Sequence, residues 1–432
     1  MGDHSSQQPL TPSLTAEPPP IERRGLGLVF RALRHRNFRL FCFGQGISLS
    51  GTWMQSVAQT WLIYRLTRSE FLMGLAYFCL QIPVFALGPL GGLAADRRSR
   101  RRIVILCQTL SMVQALALAA LTLSGRVEVW HVLALALALG VINAFDMPAR
   151  QSFLLEMTAK EDLLNAISLN SSIFNAARIV GPAAAGLLVH RLGEGSCFLI
   201  NSLSFAPVIW SLLAMRLPSF QRSVEESAWN HLLDGFRFAY HTLHIRYLLL
   251  QLAAATLAGV PALILMPFFA DDILGQGSRG LGILLASMGV GALIGTLVLA
   301  GRATTRGLVN VVLLGSFGLG VTLILLAASR RFYLSLLIML ALGFSFLRHM
   351  ASTNTLIQSL IPDEFRGRIM SLYTMTVVGL GPFGSLLTGV VAQRFGPPVT
   401  VAAGGVFCLL STLLFRARLE AFRESARGAA RG

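Results

Sequence analysis

Twelve stretches of this chain stay apolar for the length that crosses a hydrocarbon core, about 20 residues at a rise of about 1.5 Å each. They cover residues 40–64, 71–94, 103–123, 129–147, 166–189, 197–215, 247–270, 281–300, 308–329, 332–352, 369–392 and 397–415. Lipid offers no partner to a backbone N–H or C=O, so such spans must be helical. Of 432 residues, 54% are hydrophobic and only 13% charged. Soluble domains carry about 25% charged residues. The expectation is an all-α integral membrane protein with twelve transmembrane helices.

The net charge of +16 first suggests a nucleic-acid partner, but the basic residues are not gathered in a patch. With both termini placed in the cytoplasm, the inner segments hold 26 of the 36 basic residues and the outer loops 8. Arg178 and Arg348 lie inside spans. This inside-positive split sets the orientation. Lys160 is the sole lysine, and Arg-for-Lys usage with abundant Ala, Leu and Gly is that of a GC-rich bacterial genome. The expected location is the bacterial inner membrane, multi-pass, with both termini cytoplasmic. The polar, Pro- and Ser-rich start lacks the order of a signal peptide. Cys42, Cys79, Cys107, Cys197 and Cys408 fall in apolar stretches and read as small buried hydrophobes.

Five segments follow: a polar tail 1–29, a six-helix bundle 30–216, a linker 217–246, a second bundle 247–416 and a basic tail 417–432. The tail 1–29 is expected to be disordered. The linker carries an amphipathic stretch from Trp229, expected to lie as a helix in the cytoplasmic interface. His231, His241 and His244 scatter around that helix, with no Cys or paired carboxylate beside them, so no metal site is expected.

Shifting the chain by 203 residues lays 165–193 on 368–396 without a gap. Ser168/Ser371, Leu169/Leu372, Gly181/Gly384, Gly186/Gly389, Arg191/Arg394 and Gly193/Gly396 are identical. The fifth helix thus corresponds to the eleventh, which implies two pseudo-symmetric six-helix halves with a binding site between them. Gly181, Pro182, Gly186, Gly384 and Gly389 are expected to pack helices closely.

After the second span comes Gly91-Gly-Leu-Ala-Ala-Asp-Arg-Arg-Ser-Arg-Arg-Arg102. Asp96 sits there beside five arginines, where it can cap a neighbouring helix N-terminus. Asp96, Arg97, Arg100 and Arg101 are expected both to orient the chain and to act as a gate that opens when the halves rock apart. Asp146 and Arg150, at i and i+4, share a face if the fourth helix passes Pro148, and are expected to form a surface clamp.

These residues resemble the major facilitator superfamily. The Gly91–Arg102 stretch is similar to its loop signature between helices 2 and 3, with Leu93 displaced by one and Ser99 in place of the second Gly. Gly181-Pro-Ala-Ala-Ala-Gly186 resembles an element of its antiporter branches. Asp146-Met-Pro-Ala-Arg-Gln-Ser-Phe153 and Leu164-Asn-Ala-Ile-Ser-Leu-Asn170 resemble the bacterial branch of enterobactin-exporter-like and macrolide-efflux-like permeases. The resemblance covers about residues 30–416. It implies the major facilitator fold, alternating access and proton coupling, and it names no substrate.

Polar stripes suggest the cavity. Gln45, Ser48, Thr52, Gln55 and Gln59 repeat at 3 and 4 residues on the first helix. Ser168, Ser171, Asn175 and Arg178 do so on the fifth. Gln45, Ser48, Thr52, Gln55, Gln59, Ser171, Asn175 and Arg178 are expected to line a water-filled cavity. The competing account is hydrogen bonding between helices. Arg178 lies twelve residues into its predicted span, ~18 Å from the inner end. No Asp or Glu occupies the centre of any span. Either an anionic substrate or hydration and helix contacts must therefore satisfy Arg178. Asp146, Asp271, Asp272 and His349 are the candidates for proton coupling.

No P-loop, nucleophile–base pair or metal spacing is visible, so the reading includes no enzyme activity, no cofactor and no metal. The expected function is secondary active export of a small amphipathic or anionic molecule, a siderophore-like metabolite or a drug. The alternatives are lipid or lysophospholipid movement between leaflets, and a non-transporting sensor on the same fold. The expected partners are the bilayer, a small-molecule substrate and, through the resemblance, protons, with no nucleic acid and no obligate protein partner.

Overall fold

The computed structural model of the chain describes residues 30–154, 156–215, 237–302, 304 and 307–429. The expected disordered tail 1–29 and most of the linker helix, including Trp229 and His231, lie outside the described residues. A short turn, Arg31–Arg34, leads into α1 (Arg36–Thr67), α2 (Glu70–Arg97), α3 (Arg100–Leu123), α4 (Val129–Leu154), α5 (Leu163–Leu192) and α6 (Glu194–Ala214). The second set is α7 (Leu243–Ala262), α8 (Gly277–Ala300), α9 (Leu308–Ala328), α10 (Phe332–Leu360), α11 (Asp363–Phe395) and α12 (Pro397–Ala417), followed by α13 (Leu419–Ala429). Eleven of the first twelve are long and apolar enough to cross a membrane. The remaining one, α1, has the length but carries the polar stripe. The molecule is therefore an all-α, twelve-helix membrane protein in two six-helix halves.

Each half repeats one packing scheme. α2 lies along α4 and α8 along α10, while α1 and α3 both pack on α6. Small residues permit this. A methyl group on Gly91 would run into the Ala144 carbonyl, and one on Gly291 into Leu340. Helix backbones thus approach closely where lipid gives no hydrophobic drive. The halves meet through α2 against α11 and α5 against α8.

An even number of spans leaves both ends of the chain on one side, the tail end; the opposite side is the far end. α13 docks at the tail end through Phe422, which is buried against Phe415, and through Ser425, 2.9 Å from His244 Nδ1. The contacts between halves concentrate toward the far end. A methyl on Gly186 would sit 2.9 Å from the Gly282 Cα, and one on Gly389 2.8 Å from the Glu70 carbonyl. The Ser385 hydroxyl reaches the Gly74 carbonyl at 3.4 Å.

The helices run beyond the apolar stretches because their polar end turns continue the hydrogen-bond ladder. α4 passes Pro148 and ends at Leu154 instead of near 147, and α10 runs on to Leu360 instead of 352. α7 starts at Leu243 and ends in irregular turns, of which Phe269–Ile273 is a π-turn.

Candidate transport site

The face of α5 that carries Arg178 changes character along its length. Leu164, Ile167, Ser171 and Phe174 are exposed, Leu164 by 81% and Phe174 by 38%. One turn past Arg178 the same side continues as Pro182, Ala185 and Gly186, all buried, with Pro182 and Gly186 against Gly282 of α8. The lipid side, with Val180 and Leu187, is exposed at mid-depth and also near the far end. A face covered at one end and open at the other lines a funnel between the halves that opens at the tail end.

Arg178 stands where that funnel closes. A methyl on Gly289 of α8 would lie 3.2 Å from the Arg178 carbonyl, so α5 and α8 are in backbone contact at this residue. Among the described residues no carboxylate meets its guanidinium. The guanidinium instead lies 5.3 Å from the centroid of Trp53 and 5.2 Å from that of Phe174. Those rings are themselves edge-on at 5.7 Å. Asn175 is half-buried and donates to the Ser171 carbonyl at 2.9 Å.

The stripe on α1 requires a correction. Gln45, Ser48, Gln55 and Gln59 are buried, none more than 8% exposed. They do not line open space. Gln55 donates to Gln114 at 3.1 Å and accepts from Asn201 at 2.7 Å, which joins α1, α3 and α6. Buried amides need such partners, and a glycine at position 51 lets α6 come close enough to supply them. The open side of α1 carries Thr52 and Ser56. Two aromatic residues of the site, Trp53 and Phe174, carry no polar-stripe signal. Ser56 does leave a weak one, since it stands one helical turn after Thr52.

The tail-end charges pair within the first half. Arg100 reaches Glu156 at 3.0 Å and Asp96 at 3.9 Å. Arg101 donates to the Leu212 and Leu213 carbonyls, both at 2.8 Å, and Arg97 is exposed. Asp146 is buried, paired with Arg150, and accepts from Gln108 at 3.2 Å. These contacts brace α3 to α4 and α6. None of them spans the two halves.

A cluster of charged and polar side chains that does span them lies at the far end. The Tyr64 hydroxyl donates to Asp271 at 2.7 Å and to Asp272 at 3.0 Å. Arg68 pairs with both, 3.1 Å from Asp271. Arg68 adopts a left-handed conformation, φ 50°, at the end of α1. The π-turn sets two successive carboxylates against one tyrosine. His349, a proton-coupling candidate, is wholly buried between α9 and α10. Its Nδ1 lies 3.1 Å from the Val312 carbonyl, which can only accept, so that nitrogen carries the hydrogen.

Gly181 packs on Trp53 and Ser50 of α1, and the Pro182 carbonyl abuts Gly282. Gly384 is buried in α11.

The family model described as "Transmembrane secretion effector" matches residues 29–430. The chain is 25% identical over 369 residues to the staphyloferrin A transporter of Staphylococcus aureus, covering 84% of this chain and 92% of that one. It is 26% identical over 364 residues to the multidrug efflux pump Tap of Mycolicibacterium fortuitum, covering 82% and 88%. Among solved structures, the nucleoside transporter NupG superposes with a TM-score of 0.71 at 16% identity, covering 90% of this chain and 99% of that chain. A match across nearly the whole chain places the protein in the transmembrane secretion effector family of the major facilitator superfamily, a family of bacterial membrane transporters.

Proposed function

We infer that this protein is a secondary active exporter of the bacterial inner membrane, with its tail end in the cytoplasm. The carrying observation is the α5 face: open from Leu164 to Phe174 and sealed from Pro182 to Gly186. A cavity with access from one side gives one helix face two such environments. Rocking the halves about the α5–α8 contact moves the opening to the other side. The inside-positive distribution of arginine supports a cytoplasmic tail end. The cargo is a small amphipathic or anionic molecule, a metal-chelating metabolite or a drug, as the names of the relatives suggest. No chemistry is done on the cargo. Proton coupling belongs to this reading, with the partly exposed Asp271 and Asp272 as the groups that a proton from far-end solvent reaches first.

The test is efflux from proteoliposomes against a panel of anionic, neutral and cationic compounds, with and without a pH gradient. Concentrative transport that vanishes when the gradient is collapsed is expected. Transport unaffected by collapse would remove proton coupling. No movement of any compound would count against the carrier.

A further inference from the structure

Arg178 is the sole charged side chain along residues 43–62 of α1 and 164–187 of α5. It points toward the tail end, over Phe174 one turn earlier. The distances from its guanidinium to the two rings, 5.3 and 5.2 Å, and the 5.7 Å between those rings form a nearly equilateral triangle. Both rings therefore lie to one side of the cation. Arg178 is only partly buried, which leaves its other side open toward the funnel. A guanidinium at mid-membrane is costly without a partner. Cation–π contacts offset part of that cost. They cannot satisfy N–H donors, of which a guanidinium has five in a planar fork.

We propose that Arg178, Trp53 and Phe174 form a seat for an amphipathic monoanion, an acidic head joined to an aromatic or flat apolar body. This rests on the transporter reading and names the class of cargo that the funnel takes. The head is a carboxylate or similar oxyanion, because the free edge of the fork binds two oxygens at once. The body lies on the exposed part of Phe174 and beside Trp53, where aromatic rings pack edge-on or offset. At the seat itself one negative charge is matched, since no second cation stands on these stretches of α1 and α5; Arg348, the other arginine inside a span, belongs to α10 and lies over Phe344. Organic cations are rejected. The seat also has a mechanical position: the residue that holds the anion is the one at which α5 meets α8, where the sealed and open parts of the funnel join. Filling it neutralises the charge at the pivot about which the halves rock.

The experiment measures equilibrium binding to the purified full chain in nanodiscs, with 1-naphthoate, hexanoate and 1-naphthylmethylammonium as probes. Wild type is expected to bind naphthoate more tightly than hexanoate and not to bind the ammonium. Arg178→Gln is expected to lose naphthoate, and Arg178→Lys to weaken it roughly tenfold, since the lysine ammonium lacks the fork. Phe174→Leu is expected to weaken naphthoate more than hexanoate and so bring the two close together. Each variant is first matched to wild type by its melting profile, and Phe174→Leu supplies the test if Arg178→Gln does not fold. Naphthoate binding that is absent in wild type, or equal in Arg178→Gln, overturns the seat. So does equal binding of the ammonium. A carrier that moves other compounds with the seat variants unaffected sinks this proposal alone. Arg178-dependent binding without transport of any compound sinks the exporter and leaves the seat.

Discussion

The Tyr64 hydroxyl, in the first half, donates a 2.7 Å hydrogen bond to Asp271, in the second. With Arg68 and Asp272 it forms a clasp across the far end. Its side chains are partly exposed, Arg68 by 57% and Asp272 by 42%, so solvent screens the ion pairs. Such pairs contribute about 0–1 kcal/mol each. A two-state equilibrium between similar states needs no more, because about 1–2 kcal/mol changes a population ratio roughly 5- to 30-fold. The double variant Asp271→Asn, Asp272→Asn is expected to raise the far-open population within that range. Spin labels at Val127 and Arg330, in far-end loops of the two halves, report it as a longer distance in a cysteine-free background. An unchanged distribution would mean that the clasp carries no gating energy.

Steric closure should outweigh the clasp. Gly186 and Gly282 let α5 and α8 touch, and a methyl on Gly186 would meet the Gly282 Cα at 2.9 Å. Gly186→Val adds three carbons where there is room for none. Overpacking of this kind costs about 1–3 kcal/mol. That cost falls only on the far-closed state, so the variant is expected to rest far-open and to lose transport while its melting temperature falls little. The same label pair measures the shift. Gly92 is the control, because a methyl added there meets nothing within 4 Å. Gly92→Ala is expected to transport like wild type.

Local pattern carried the spans, their number, the duplication and the family. Twelve apolar runs and a glycine spacing that repeats at 203 residues are each contained in short windows of sequence. Position along a helix was legible too, since Arg178 stands midway along α5, Leu163–Leu192. Rotation was not. Thr52 is exposed while Gln55, three residues later, is buried on α3 and α6. A polar stripe shows that one side of a helix needs hydrogen bonds without saying whether water or another helix supplies them. The clasp left no trace, because Tyr64 and Asp271 are 207 residues apart and only packing of the halves joins them.

The tail-end pair Asp146–Arg150 is a stability element of the first half. Asp146 is 4% exposed and also accepts from Gln108. Removing Arg150 strands a buried carboxylate, which costs roughly 3–5 kcal/mol, whereas removing both charges costs much less. Arg150→Gln is therefore expected to melt well below wild type, and Asp146→Asn, Arg150→Gln to recover most of the loss. Melting curves in one detergent measure the cycle. Additive losses would contradict a coupled pair.

The two sides of α1 make opposite predictions. Gln55 bonds both Gln114 and Asn201, so Gln55→Ala leaves two buried amides short of a partner. Each such group costs about 1–3 kcal/mol. That variant is expected to lose stability while keeping the selectivity of transport, because its side chain never meets the funnel. Thr52 is exposed, and its hydroxyl bonds only its own helix at Ser48. Thr52→Leu, which narrows the funnel without unpairing a buried group, is expected to melt like wild type and to change the affinity or range of compounds moved. Melting and efflux, measured on both variants, separate helix packing from cavity lining. If Gln55→Ala altered selectivity at unchanged stability, the assignment of the stripe to packing would fail, and the water-filled cavity would have to reach the α3 side of α1.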